Sequence, residues 1–207
     1  MPSKFRVRYI FRPLVKVIAS RLSKIGITPN IATLIMLFFA ILSLISLSLF
    51  KNLLLFSIFV FTTGIFDGVD GAIARLKDKS TKSGAFLDST MDRVSEFIIF
   101  LGLLLYCWNE TIFLNDMKLV VMISLFSSLM ISYSRARAEN FFKGDFDVGL
   151  MARSERLFYL VITSIIAFFF GFMNEFIFIF MWLVIGTSLF RFFKFNSIIK
   201  ENENKSK

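Results

Sequence analysis

The sequence predicts an all-α integral membrane protein, with six transmembrane helices preceded by a basic amphipathic helix at the interface. Three observations predict it. The 207 residues are 56% hydrophobic with a mean hydropathy of +0.72, too apolar for a water-soluble domain but of a length that suits one domain. Uncharged runs of spanning or near-spanning length recur along the chain. Its 24 Lys and Arg, against 15 Asp and Glu, are gathered almost wholly in alternate connections.

Residues 1–30 hold Lys4, Arg6, Arg8, Arg12, Lys16, Arg21 and Lys24 and no acid. Phe5, Ile10, Phe11, Leu14, Val15, Val17, Ile18, Leu22 and Ile25 recur among them at roughly helical spacing. This fits either a basic amphipathic helix in an anionic interface or a positive flank that fixes topology. Thr28 and Pro29 then cap and open the first span, whose run 31–50 carries no charge. The second and third spans, about 52–75 and 84–108, reach bilayer length only by taking acids inside. The remaining three follow at 119–134, 157–174 and 176–190. The chain thus divides into a cytoplasmic juxtamembrane segment 1–30, a six-helix transmembrane domain 31–195 and a polar cytoplasmic tail 196–207.

Orientation follows from the cations. With Arg75, Lys77, Lys79, Lys82 and Arg93 around one connection, Arg135, Arg137, Lys143, Arg153 and Arg156 around another, and Arg191, Lys194, Lys200, Lys205 and Lys207 at the end, only Lys51 and Lys118 fall on the far side. Both termini and the two longer polar loops are expected in the cytoplasm of a multi-pass protein of the cell membrane. The charge is not that of a nucleic-acid binder, since 29 Phe and long apolar runs accompany it.

The chain has no His and one Cys, Cys107. Ser-His-Asp chemistry, His-ligated zinc, disulfide frameworks and multi-Cys metal sites are all excluded, so any acid–base or metal chemistry falls to carboxylates. Asp67 and Asp70 share one helix face, and so do Asp88 and Asp92. If the link 76–83 makes their helices antiparallel neighbours, the two acid pairs meet level, roughly 12 Å inside the helix ends at 1.5 Å per residue. Four such carboxylates cost on the order of 10 kcal/mol in a membrane unless cancelled. Arg75 and Arg93 offset part of this. Two divalent cations offset it better, and an all-oxygen donor set favours Mg²⁺ or Mn²⁺. Structural ion pairs or a cation pathway through a small transporter are the alternatives, although all four acids lie near one membrane face.

The spacing Asp67-x2-Asp70-Gly71-x2-Ala74-Arg75-x8-Gly84-x3-Asp88-x3-Asp92 resembles the signature of the CDP-alcohol phosphotransferases, with every fixed position present. The resemblance implies a six-helix homodimeric membrane enzyme. It would transfer the phosphatidyl-type group of a CDP-lipid donor to a hydroxyl acceptor, with release of CMP. It further implies that Asp67, Asp70, Asp88 and Asp92 hold two metal ions and that Asp92 takes the acceptor's proton. Gly71, Ala74, Arg75 and Gly84 would form the cytidine pocket. Asn30 and Thr33 resemble further nucleotide contacts, with helix capping and a filler role as their plain readings. Glu96, a turn beyond Asp92, either tunes that base or pairs within the bundle.

Arg135, Arg153 and Arg156 lie at helix ends beside the expected site and suggest a second anion, such as a phosphate on the acceptor. Topological flanking and an Arg135–Glu139 pair are the plain alternative. The pattern resembles the branch making phosphatidylinositol phosphate or its archaeal ether counterpart from inositol 1-phosphate. There, residues matching Arg135 and Arg156 bind the acceptor's phosphate with help from a basic residue of the last helix, for which Arg191 is the candidate. Glycerol 3-phosphate is the rival acceptor.

Overall fold

The computed structural model describes residues 7–77, 81–141, 146 and 148–205. Lys4, Phe5, Arg6, Lys79, Lys143 and Lys207, invoked above for charge or amphipathicity, lie outside the described residues. Two N-terminal helices, α1 (Val7–Ile10) and α2 (Arg12–Lys24), lead into six longer ones: α3 (Pro29–Ser48), α4 (Leu53–Leu76), α5 (Lys82–Tyr106), α6 (Met117–Phe141), α7 (Arg153–Phe170) and α8 (Met173–Lys205).

Local chemistry sets where these helices start. Thr28 Oγ1 accepts from Ile31 N at 3.4 Å and Pro29 opens α3. Asn52 Oδ1 accepts from Leu54 N and Leu55 N, both at 3.0 Å, at the head of α4, and Thr81 Oγ1 accepts from Gly84 N at 3.0 Å at the head of α5. Each cap satisfies donors that the helix itself leaves orphaned. Inside the bundle, Ser43, Ser57, Ser124 and Thr163 return their hydroxyl protons to carbonyls of their own helices. These four hydroxyls thereby enter an apolar core with their donors met, whereas Ser128 Oγ and Ser164 Oγ are buried without a hydrogen-bond partner among the described residues. At Gly102 the backbone of α3 comes so near that a Cβ would meet Leu44 Cα at 3.2 Å.

The six long helices follow a ring, α3–α4–α7–α8–α6–α5, closed by α5 on α3, in which α7 and α8 touch at only a few positions. This corrects one expectation. α4 and α5 are not packed neighbours along their length; α3 packs along both, and α4 and α5 approach at only a few positions. The acid pairs still meet, because the two helices converge there. The main core runs through Phe56, Phe100, Leu103, Phe180 and Val184.

Four helices, α3, α4, α6 and α8, are long and apolar enough to cross a membrane. α5 and α7 carry the acids and arginines of the site, among them Asp92, Arg93 and Glu96 on one and Arg153, Glu155 and Arg156 on the other. α8 continues as helix through the polar segment after residue 195. The connection between α5 and α6 is a two-stranded hairpin, β1 (Thr111–Ile112) with β2 (Asn115–Asp116), which the all-α expectation lacked. Its turn places Phe113 and Leu114 at φ 45° and 65°. Those residues carry none of the Asn-Gly signal that betrays such turns in a sequence.

α2 does not lie apart from the bundle. Its apolar side, with Val15, Ile18, Ala19 and Leu22, packs on Ile65, Val69 and Ile73 of α4, while Leu14, Val17 and Ile25 remain exposed.

Candidate active site

The site forms where α3, α4 and α5 meet the start of α7. One carboxylate oxygen each from Asp67, Asp88 and Asp92 lies within 4.8 Å of the others. Asp70 is buried beside them. Its Oδ2 accepts from Thr33 Oγ1 at 2.8 Å and its Oδ1 from Gly71 N at 2.6 Å. Thr33, buried on α3, thus fixes the orientation of an acid on α4.

Arg153, the first residue of α7, reaches into this cluster. Its Nη1 donates to both Asp67 Oδ1 and Asp92 Oδ1, and its Nη2 donates to Ser95 Oγ at 2.8 Å and approaches Met36 Sδ at 3.7 Å. The sequence placed Arg153 near an acceptor's phosphate; its contacts here are with the acids. One guanidinium cannot neutralise four carboxylates, and Asp88 Oδ1 is buried without a hydrogen-bond partner among the described residues. A converging all-oxygen donor set with an unmet oxygen fits hard divalent cations.

The nucleotide candidates separate. Gly71 lies under the Arg75 guanidinium, which a Cβ at position 71 would meet at 3.3 Å. Gly71 and Arg75 line a cavity of about 560 Å³ together with Asp67, Asp70 and Asp88. Gly84 sits in the first turn of α5, where its N–H bonds Thr81 and a Cβ would meet that Oγ1 at 3.0 Å. Ala74 is half-buried one turn from Asp70, and Asn30 is exposed in the first turn of α3.

The remaining arginines hold protein groups. Arg156 and Glu96, each 1% exposed, form a two-point ion pair, Nε–Oε1 at 2.7 Å and Nη2–Oε2 at 2.9 Å. Arg156 also donates to Met151 O at 3.0 Å and Ser132 Oγ at 3.2 Å. Arg191 donates to Val148 O at 2.8 Å and Ile131 O at 2.9 Å. The two guanidiniums therefore reach adjacent residues, 131 and 132, of α6. Arg135, one turn on, pairs with Glu139 at 2.8 Å near the surface. The sequence left Glu96 open between two roles; its contacts are with Arg156. Ser95 and Ser132 were not anticipated, since a serine in an apolar helix carries no signal by itself.

Sequence and structure comparisons agree with this geometry. Residues 26–193 match the family model described as CDP-alcohol phosphatidyltransferase. The chain is 35% identical over 168 residues to the archaetidylinositol phosphate synthase of Pyrococcus horikoshii, covering 80% of this chain and 82% of that one. It is 34% identical over 163 residues to the phosphatidylinositol phosphate synthase of Mycobacterium tuberculosis, covering 77% and 72%. The crystal structure of the M. tuberculosis synthase with CDP-DAG bound superposes with a TM-score of 0.74 at 26% identity, covering 88% of this chain and 94% of that one. The same enzyme in complex with manganese and citrate gives 0.75 at 27%, covering 87% and 88%. On the match of its family model across most of its length, and on these relatives, the chain belongs to the CDP-alcohol phosphatidyltransferase family.

Proposed function

We propose that this membrane enzyme transfers the phosphatidyl-type group of a CDP-lipid to the hydroxyl of inositol 1-phosphate and releases CMP. The convergence of Asp67, Asp88 and Asp92, with Asp70 held by Thr33, carries the reading. The likeness to archaetidylinositol and phosphatidylinositol phosphate synthases supports the acceptor.

Asp67, Asp70, Asp88 and Asp92 would hold two divalent ions, Mg²⁺ or Mn²⁺, whose charge would offset that of the diphosphate and the departing CMP. Asp92 accepts the proton of the acceptor hydroxyl as its oxygen attacks the lipid-side phosphorus. The phosphoanhydride bond breaks and its electrons leave with CMP. With no His in the chain, a carboxylate is the base this site offers. Gly71 keeps the donor cavity open beside Arg75, while Ala74, Gly84, Asn30 and Thr33 complete the cytidine side, Thr33 through Asp70. The acceptor's phosphate binds among Arg135, Arg153, Arg156 and Arg191, which gather where α6, α7 and α8 meet the cytoplasm.

The six long helices all span the membrane, with both termini and the site on the cytoplasmic face and the exposed Leu14, Val17 and Ile25 edge of α2 in the lipid interface. The enzyme works as a homodimer. A direct test of the acid centre is Mg²⁺-dependent binding of CDP to purified protein. It is expected in the wild type and lost in Asp88→Asn; metal-independent binding would remove the carboxylates from the donor site.

A further inference from the structure

The family match begins at residue 26, so α1 and α2 lie outside it. Nevertheless the cavity that holds Asp67, Asp70 and Asp88 is closed on one side by this N-terminal segment, through Arg8, Tyr9, Arg12 and Val15. Resting on the donor reading above, we propose that the N-terminal segment is a wall of the donor site and that Arg8 and Arg12 bind the phosphoryl group on the lipid side of the donor diphosphate.

The segment is seated firmly enough to serve as a wall. Phe11 packs edge-on against Phe61 of α4 with ring centroids 5.4 Å apart and lies 5.9 Å from Phe158 of α7. Val15 fills the place above Gly68, where a Cβ would meet Val15 Cγ1 and Cγ2 at 3.3 Å. A side chain at 68 would press on Val15, which would have to give by a few tenths of an ångström. These two contacts fix the height of what lies between them. Arg12 follows Phe11, which touches Phe61, and precedes Val15, which touches Gly68. It therefore stands level with residues 62–64 of α4, about one turn deeper than Asp67, whereas Arg75 is about three turns nearer the end of α4, roughly 18 Å away along the axis. Arg8 is steadied by Tyr9, whose ring its guanidinium covers at 5.1 Å and whose hydroxyl accepts its Nη2 at 3.3 Å.

The cavity's chemistry is graded along the same axis. At the end of α4 lie Gly71 and Arg75, and at mid-height lie the acids; deeper in, the walls are Val60, Phe61 and Ile65 with Leu157 and Val161, and Arg8 and Arg12 line the side formed by the N-terminal segment. Gly64 widens that deeper part, with Leu157 Cδ1 3.6 Å from where its Cβ would be. A volume near 560 Å³ suits a nucleotide-sized group rather than a lone ion. A polar head, two phosphates and an apolar tail fit in that order. The phosphate nearer the tail then falls opposite Arg8 and Arg12, where paired guanidiniums suit phosphate oxygens.

The test is a ladder of ligands, CMP, CDP and CDP-diacylglycerol, bound with Mg²⁺ to the full chain and to Arg8→Ala/Arg12→Ala. Binding of CMP, which lacks the lipid-side phosphate, is expected to match wild type. CDP and CDP-diacylglycerol are expected to bind roughly tenfold more weakly. In turnover the donor KM rises by a similar factor while kcat and the acceptor KM stay within about twofold. Arg8→Lys/Arg12→Lys is expected to recover part of the loss. Equal weakening of all three ligands, or an unchanged donor KM, would overturn the proposal. Absence of Mg²⁺-dependent CDP binding in the wild type would instead overturn the donor reading itself, and this inference with it.

Discussion

The acid centre and the arginine cluster meet at Arg153, yet they are built in opposite ways. Asp67 and Asp92 are about a quarter and a fifth exposed, and their oxygens gather with that of Asp88 around a shared space. Arg156 and Arg191 are 1% and 2% exposed and already bonded to a carboxylate, a hydroxyl and three main-chain carbonyls. One region is poised to receive charge from outside; the other is tied into the bundle before any ligand arrives. Arg156 in particular anchors the start of α7, from which Arg153 reaches the acids. Removing a residue from the first region should therefore change chemistry at constant stability. Removing one from the second should change both.

The largest effect expected is that of Asp92→Asn. Loss of the general base should lower kcat by on the order of 10²–10⁴, while CDP-lipid binding stays measurable and the melting temperature barely moves. Near wild-type turnover would take the base role from Asp92. Arg156→Ala tests the other region. It strands Glu96 in the core, and breaking one side of a buried pair costs about 3–5 kcal/mol, so thermal unfolding in detergent should occur at markedly lower temperature. Unchanged unfolding would show that the pair is not structural. Because this variant mixes stability with binding, Arg135→Ala is the cleaner probe of the acceptor.

Thr33→Val sharpens the contrast from the acid side. It deletes the hydroxyl that orients Asp70, and orienting partners of metal ligands are typically worth 10–100-fold in metal affinity. Mn²⁺ titration followed by electron paramagnetic resonance should show that loss without a change in fold. The smallest effect belongs to Arg135→Ala, since the Arg135–Glu139 pair is near the surface and worth little by itself. The acceptor KM should rise roughly fivefold with kcat preserved. An unchanged acceptor KM would return Arg135 to a topological role.

The two regions also differ in how they are written in the chain. The acid centre was legible because helical periodicity alone puts Asp67 with Asp70 and Asp88 with Asp92, within 26 residues bearing eight fixed positions. The route by which the pairs meet was not legible. α3 packs along both helices, and periodicity within α4 and α5 says nothing about a third helix. Thr33 was singled out, but its bond to Asp70 joins residues 37 apart. The arginines were visible as charges while their partners were not. Met151, Val148 and Ile131 contribute carbonyl oxygens, which leave no trace in side-chain chemistry. Arg153 illustrates the limit: sequence position put it at a helix start, and only the packing of α7 on α4, where α5 also converges, turns it onto Asp67 and Asp92. The α5–α6 hairpin was missed because Phe113 and Leu114 hold left-handed backbone without glycine or asparagine.

The most direct measurement is CMP release by the purified protein with Mg²⁺ or Mn²⁺, supplying CDP-diacylglycerol or CDP-archaeol. Inositol 1-phosphate, glycerol 3-phosphate, myo-inositol and serine would each be offered as acceptor. Release with inositol 1-phosphate, abolished by chelation of the metal and absent with myo-inositol, is the expected result. Release with glycerol 3-phosphate alone would keep the acid centre and reassign the acceptor. Release that persists after chelation, or that prefers unphosphorylated myo-inositol, would contradict a carboxylate–metal centre working beside an arginine-bound phosphate.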